Sequence, residues 1–269
     1  MPHEPTRSSF SFLGGDSRTP WTRSYLEDAG CRIVDFSSNE ITHFVLPLPA
    51  FTSDGAISGG PPFAALEARL HPGITVLGGK LESRQNLLEH TGATVLDYFH
   101  DEFLTAANAA ITAEGALLLA MEQLPVTLAD TPVLVIGWGR IGQLLSRKLQ
   151  ALGAHVTASA RRSRDLGMIQ ALGLQTATTG QWENLSAYRV IFNTVPSPVL
   201  TAQALAQTQP NCLLVELASA PGGIEADGSR SFLRASGLPG KTAPETAGRL
   251  VGKTVLRLAM SQERSPYVR

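Results

Sequence analysis

Two cysteines in 269 residues are too few for a disulfide framework or a thiolate-bound metal. Cys31 and Cys212 each fall inside an apolar, strand-like run, so both thiols are expected to be reduced, as in a cytoplasm. Charge is sparse too. Charged residues make up 17% of the chain and the net charge is −1, which argues against nucleic acid or a membrane surface as a partner bound by bulk charge. No uninterrupted apolar run reaches the roughly 18 residues of a membrane span, and none is expected. Residues 1–9 are polar and lack the apolar middle of a signal peptide, so they read as a loose leader. The six histidines show no metal-ligand spacing, no metal is expected, and no repeat of solenoid period is present. What remains is a globular chain long enough for two domains.

The most informative stretch runs from Thr131 to Ser163. An apolar run, Val133 to Ile136, passes directly into Gly137-Trp138-Gly139-Arg140-Ile141-Gly142. A helical pattern follows, with Ile141, Leu144, Leu145, Leu149 and Leu152 at helical spacing, and Gly153 ends it. A second strand, Ala154 to Ala160, closes the βαβ unit. Each glycine has a steric reason in a dinucleotide site: Gly137 turns the chain, Gly139 admits the pyrophosphate to the backbone, and Gly142 lets helix and strand pack closely. The free N–H groups of the helix start would hold the pyrophosphate. An NAD enzyme usually places an acid at the tip of the second strand, whereas an NADP enzyme places arginine there. Here that tip carries Arg161, Arg162 and Ser163, and the nearest acid is Asp165. Two guanidinium forks and a hydroxyl suit the 2′-phosphate, so NADP is expected over NAD, with a solvated basic loop as the plainer alternative.

The rest of the chain repeats this alternation. Phe10 to Leu13 is a strand, Trp21 to Ala29 a helix, and Cys31 to Phe36 a second strand, around a Gly14-Gly15-Asp16 turn that lacks the full fingerprint. Strands are also expected at His43 to Pro49, Ile74 to Leu77 and Thr94 to Tyr98, with a helix over Phe63 to Leu70 and a long loop from Thr52 to Pro62. An alanine-rich helix spans Asp101 to Glu122. The second half then continues with an extended Gly167 to Gln181 segment and strands at Arg189 to Phe192 and Cys212 to Leu217. A last helix covers Glu245 to Ser261. The fold class is therefore α/β: two Rossmann-like, doubly wound domains joined by a long helix, with the C-terminal helix crossing back to the first. The expected divisions are 1–9 leader, 10–100 substrate domain, 101–125 inter-domain helix, 126–236 NADP-binding domain and 237–269 C-terminal helix on the N-terminal domain. Ligands of open α/β sheets bind beyond the carboxyl ends of the strands, so Asn193-Thr194-Val195-Pro196 and Ala218-Ser219-Ala220-Pro221-Gly222-Gly223 are expected to face the nicotinamide.

These loops together carry a resemblance. Gly14-Gly15-Asp16-Ser17-Arg18, Leu46-Pro47-Leu48-Pro49, the stretch from Asn108 to Ala116, the glycine fingerprint, the two strand-end loops and the stretch from Gly237 to Gly248 resemble the A subunits of dipicolinate synthase. The resemblance runs from about Phe10 to Met260, and its least generic parts are Thr112-Ala113-Glu114-Gly115 and Leu238 to Pro244. It implies oxidation of dihydrodipicolinate, a branch product of the lysine and diaminopimelate route, to pyridine-2,6-dicarboxylate. It also implies a nicotinamide cofactor, a flavoprotein-like B subunit, and the mother-cell cytoplasm of a sporulating bacterium.

Such a reaction needs holders for two carboxylates and an oriented ring carbon. Candidate substrate-binding residues are Gly15, Asp16, Arg18, Lys80, Asn193 and Ser219, and candidate catalytic residues are Glu114, Lys241 and Thr112. Cofactor contacts are expected from Gly137, Trp138, Gly139, Arg140, Ile141, Gly142, Arg161, Arg162, Ser163, Thr194, Val195, Pro196 and Ser219. For Glu114 a helix-surface ion pair stands beside the general-base reading. For Lys241 an exposed surface lysine stands beside the anion clamp, and His100 is either a proton shuttle or a strand-end residue. Expected partners are a small dicarboxylate and the B subunit, with a second copy of the chain also open. Alternative functions are an NADP-dependent dehydrogenase of a 2-hydroxy or 2-imino acid, and a non-catalytic NADP-binding subunit.

Overall fold

The computed structural model describes residues 8–226, 228 and 230–263, so the first seven positions of the expected leader lie outside the described residues. In chain order the elements are β1 (Ser9–Phe12), α1 (Thr19–Asp28), β2 (Arg32–Ile33), β3 (His43–Val45), α2 (Phe63–Glu67), β4 (Thr75–Gly78), α3 (Gln85–His90), β5 (Thr94–Asp97) and α4 (Glu102–Gln123). They continue with β6 (Pro132–Ile136), α5 (Arg140–Ala151), β7 (His155–Ala160), α6 (Ser163–Ala171), β8 (Gln175–Thr178), β9 (Val190–Asn193), α7 (Ala202–Leu205), β10 (Leu213–Glu216), β11 (Leu233–Arg234), α8 (Leu238–Thr242) and α9 (Pro244–Glu263). Two units result, one of Met1–Asn108 with Ala243–Arg269, the other of Ala109–Thr242. Helix α4 begins in the first unit and continues into the second.

The first unit holds a parallel sheet of order β2-β1-β3-β4-β5. Its core divides between the sheet faces. Phe44, Leu46, Val76 and Leu66 lie in one cluster, and Phe10, Val45, Leu77, Leu26 and Val255 in the other. Helix α9 belongs here: it packs on α1, where a Cβ at Gly248 would meet the carbonyl oxygen of Arg18 at 2.4 Å and Thr22 donates to the Gly248 carbonyl at 3.0 Å. At the start of α4, Asp101 accepts from the Leu104 N–H at 2.8 Å and forms an ion pair with Arg257 of α9.

The second unit holds a parallel sheet of order β11-β10-β9-β6-β7-β8. Alternate residues of β6 serve opposite cores: Val133 and Val135 pack with Leu145, Leu149 and Phe192, while Leu134 and Ile136 pack with Ile191 and Leu214. Burial on both faces explains why these strands read as continuous apolar runs. Helix α5 turns Gly142, Leu145, Ser146 and Leu149 inward at helical spacing. Leu152, expected on that stripe, is 46% exposed.

Three expectations need correction. The leader does not extend to residue 9, since Ser8 and Ser9 are buried and Ser9 begins β1. The segment Gly167 to Gln181 is not extended throughout: it holds most of α6, then β8. Strand β8 is a polar edge strand with Gln175 and Thr176 exposed, so it carries no apolar alternation to read. The short helix α8, within the expected C-terminal division 237–269, belongs to the second unit, and only α9 belongs to the first. Helix α4 is long and apolar enough by composition to cross a membrane, yet half of that window is buried, with Ala113, Ala116 and Ala120 in the core of the second unit.

Candidate functional site

The glycine loop lies between β6 and α5 at the carboxyl edge of the second sheet. Gly137 adopts φ +101°, a region open to glycine, and a Cβ there would meet the Thr194 hydroxyl at 2.5 Å. A Cβ on Gly142 would stand 2.0 Å from the Gly137 carbonyl oxygen. At Gly139, by contrast, a Cβ would meet nothing within 4 Å. The first and third glycines are thus required by the protein's own packing, while the second faces open space. The N-cap residue of α5, Gly139, supplies no side-chain cap, and no acid stands in the first turn, an arrangement that suits an anion at the helix start. These features fit a dinucleotide pyrophosphate. Trp138 is half-buried and its carbonyl accepts from Gln143 at 2.9 Å, while Arg140 is exposed and Ile141 half-buried.

Arg161, Arg162 and Ser163 follow β7 and are all exposed. Arg162 is the N-cap residue of α6 and makes no side-chain cap, and Asp165 stands in the first turn of that helix. Among the described residues neither Arg161 nor Arg162 has an ion-pair partner, whereas Asp165 is engaged by Arg164 at 3.4 Å. No acid occupies the strand tip, and two uncommitted guanidinium groups fit a phosphate there.

Strand β9 pairs with β6 and ends beside the glycine loop, and β10 is the next strand out. The Thr194 hydroxyl donates to the Ile136 carbonyl at 2.8 Å, Thr194 and Val195 are half-buried, and Pro196 is exposed. Asn193, expected to contact substrate, is fully buried. Its amide nitrogen donates to the Val195 carbonyl at 2.9 Å and to Glu216 at 2.8 Å, and its oxygen accepts from the Val195 N–H at 3.1 Å. Asn193 therefore holds the loop rather than a ligand, a correction to the expectation. Ser219 is exposed, and its carbonyl accepts from the Gly222 N–H at 2.9 Å. Glu216, absent from the expected site residues, is 1% exposed and fastens both loops. The available sequence signal is an acid at the end of an apolar strand, five residues before Pro221-Gly222-Gly223.

In the first unit the structure brings Gly15, Asp16 and Arg18 together. Gly14 adopts φ +73°, and a Cβ there would meet the Ser58 carbonyl at 2.4 Å, so the turn interlocks with the long loop at Ser58-Gly59-Gly60. The Arg18 Nε lies 3.1 Å from both Asp16 oxygens, and its Nη2 donates to Asp16 and to the Leu48 carbonyl. Its Nη1 has no hydrogen-bond partner among the described residues. Gly14, Asp16, Arg18, Thr19, Leu48 and Tyr98 line one pocket. Burial raises the Tyr98 hydroxyl far above its ordinary pKa, so it remains protonated and donates to the Leu46 carbonyl at 2.8 Å. Lys80 sits at φ +60°, a strained conformation for a side-chain-bearing residue, with its ammonium 5.1 Å from the Phe99 ring centroid. Asp97 holds this turn by accepting from the N–H groups of Lys80, Leu81 and Phe99.

Other candidates are placed elsewhere. Glu114 is exposed and its carboxylate lies 2.9 Å from Lys148 of α5, so the surface ion pair is the contact the structure shows. Thr112 is half-buried on α4. Lys241 is exposed in the last turn of α8, not in a glycine-proline turn. His100 is exposed beside Glu82 at 3.5 Å, and with Asp97 the three form a cluster of possible ligand atoms.

Known proteins resemble this chain in sequence and in fold. Residues 104–222 match the family described as D-isomer specific 2-hydroxyacid dehydrogenase, NAD binding domain. The chain is 30% identical over 243 residues to the dipicolinate synthase A subunit of Bacillus subtilis (strain 168), covering 85% of this chain and 81% of that one. The crystal structure of the dipicolinate synthase A subunit from Bacillus halodurans superposes with a TM-score of 0.85 at 24% identity, over 95% of this chain and 99% of that one. Its Bacillus subtilis counterpart gives 0.82 at 25% identity, over 97% and 98%.

Proposed function

This chain belongs to the family of dipicolinate synthase A subunits, and from that premise we propose that it oxidises dihydrodipicolinate to dipicolinate with NADP⁺. The coarser activity is plain: it is a nicotinamide-dependent oxidoreductase with a Rossmann dinucleotide domain. The observation that carries the finer reading is the 30% identity maintained over 85% of the chain.

In this reading α5 presents its first N–H groups to the pyrophosphate, and Gly139 leaves the approach clear. Arg161 and Arg162 select the 2′-phosphate, because each has its guanidinium uncommitted at the tip of β7. The bound nicotinamide supplies an acceptor for one hydride. The ring loses that hydride from carbon and a second hydrogen as a proton, and the electrons left behind complete its aromaticity. In the first unit Arg18 offers its unpaired Nη1 to a carboxylate, held in place by Asp16 and the Leu48 carbonyl. Lys80 adds a second cation in the same unit. A flavoprotein-like second subunit is proposed as partner, and the mother-cell cytoplasm of a spore former as the compartment.

The family match at residues 104–222 favours one second reading, a 2-hydroxy acid dehydrogenase. Enzymes of that kind commonly rely on a histidine paired with an acid. The single histidine between residues 109 and 242, His155, opens β7 beside Asp130 at 3.7 Å, at the amino edge of the sheet and away from the glycine loop.

A coupled assay tests the proposal. Dihydrodipicolinate is generated in place from pyruvate and aspartate semialdehyde, and the chain is added with NADP⁺, with and without a B subunit. Dipicolinate and NADPH appearing together support it. NADPH binding without product in either arm overturns it in favour of the 2-hydroxy acid reading.

A further inference from the structure

Glu216 ends β10 and is 1% exposed, yet it is an acid where an apolar residue would close the strand without burying a charge. Four N–H groups surround it. The Asn193 amide and the Ala218 N–H donate to Oε1 at 2.8 and 2.9 Å, and the Gly223 and Ile224 N–H groups donate to Oε2 at 2.7 and 2.9 Å. The carboxylate thereby folds the loop from Ala218 to Gly223 back onto the end of its own strand. Space is reserved for it: a Cβ at Gly222 would lie 2.8 Å from Oε2, and one at Gly223 would lie 2.6 Å from the Asn193 amide nitrogen.

The same carboxylate reaches the dinucleotide loop in two steps. Glu216 and Asn193 are cross-strand partners in the β10–β9 register. Asn193 fixes both the carbonyl and the N–H of Val195, and Thr194 between them sits in the space a side chain on Gly137 would need. One buried acid therefore ties together both strand-end loops, of which that at 194–196 lies against the glycine turn.

We propose that Glu216 is a positioning residue for hydride transfer: it holds the loops at 194–196 and 218–223 where they align the reacting ring, and so governs turnover more than dinucleotide affinity. This rests on the reading that those loops flank the nicotinamide. In that reading the pyrophosphate and the 2′-phosphate are held at α5 and the β7 tip, which Glu216 does not touch, so turnover falls much further than affinity.

Glu216→Gln tests it, because the isosteric amide turns an acceptor of two N–H groups into a donor facing them. Turnover in the coupled assay is expected to fall about 100-fold, the order that a displacement of about 1 Å costs an oriented reaction. The dissociation constant for NADPH, read by tryptophan fluorescence well below the unfolding temperature, is expected to change by less than about 3-fold. Amide hydrogen exchange at Ala218, Gly223 and Ile224 is expected to accelerate. Glu216→Asp, which keeps the charge on a shorter arm, is expected to lie between. Unchanged turnover overturns the proposal. So does a loss of turnover matched by an equal loss of NADPH affinity, which marks a general structural role. Should the wild-type chain turn over no dihydrodipicolinate, the proposed function fails. The exchange experiment then decides the positioning role: faster exchange with NADPH affinity kept supports it, and unchanged exchange overturns it.

Discussion

A Cβ on Gly142 would stand 2.0 Å from the carbonyl oxygen of Gly137, so α5 touches the turn before it backbone to backbone. Neither atom is the movable end of a side chain. Gly142→Ala is expected to cost about 1–3 kcal/mol of stability, as overpacking does, and to lower NADPH affinity as well. Gly139→Ala is the contrasting case, because nothing lies within 4 Å of its added carbon. That variant should keep its stability within about 0.5 kcal/mol and still lose NADPH. Thermal unfolding and NADPH titration of the two variants check this. Full affinity in the Gly139 variant would remove the pyrophosphate from this loop.

Cofactor choice is the second prediction. Converting Arg161 and Arg162 to Ala removes two charged donors, each hydrogen bond to a charged group being worth about 1.5–3 kcal/mol. NADPH binding is expected to weaken by about 10-fold or more for each, while NADH binding changes little. Equal losses for both nucleotides in side-by-side titrations would contradict the 2′-phosphate role.

Asp101 gives a pH dependence. Partial burial raises its pKa, but the Leu104 N–H and then Arg257 more than offset this, leaving it below the ordinary carboxylate value of about 3.9. A carboxylate with a depressed folded-state pKa stabilises the fold above its unfolded value, and that stabilisation is lost as pH falls through the lower folded value. Asp101→Asn should therefore be less stable than the wild type at pH 7, by on the order of 1 kcal/mol for a pair whose arginine is 52% exposed. Urea unfolding of both should converge as pH drops below about 4. A gap that stayed constant with pH would show that the charge contributes nothing.

For Glu114 we expect very little. Its exposed pair with Lys148 is worth at most about 1 kcal/mol, and Glu114→Gln should leave turnover within about 2-fold. A loss of about 100-fold or more would support the general base.

Features set by local chemistry are legible in the sequence. The glycine spacing, the strand before it and the arginines after the next strand all lie within Thr131 to Ser163, where steric rules act over a few residues. The α/β class with two parallel sheets follows from the same alternation. Features set by distant partners are not. Asn193 reads as a ligand-facing polar residue because its partner Glu216 stands 23 residues away and its burial has no local signature. Glu114 and Lys148 are 34 residues apart, so either role stays open until the helices are placed. Helix α6 escapes notice because Gly167 and a polar surface obscure a short pattern in which Ile169 alone is buried.

Helix α9 is the last described element, yet it packs on α1, near the beginning of the chain, where Gly252 has only 2.9 Å between a would-be Cβ and the Cβ of Tyr25. On the ribosome, the segment from Ala109 to Thr242 emerges complete while the first unit still lacks α9. Synthesis order and assembly order therefore differ: the domain begun first is finished last, and until then the α9-facing side of α1 lacks its partner. A chain interrupted after Thr242 would carry an intact nucleotide unit and an unfinished companion.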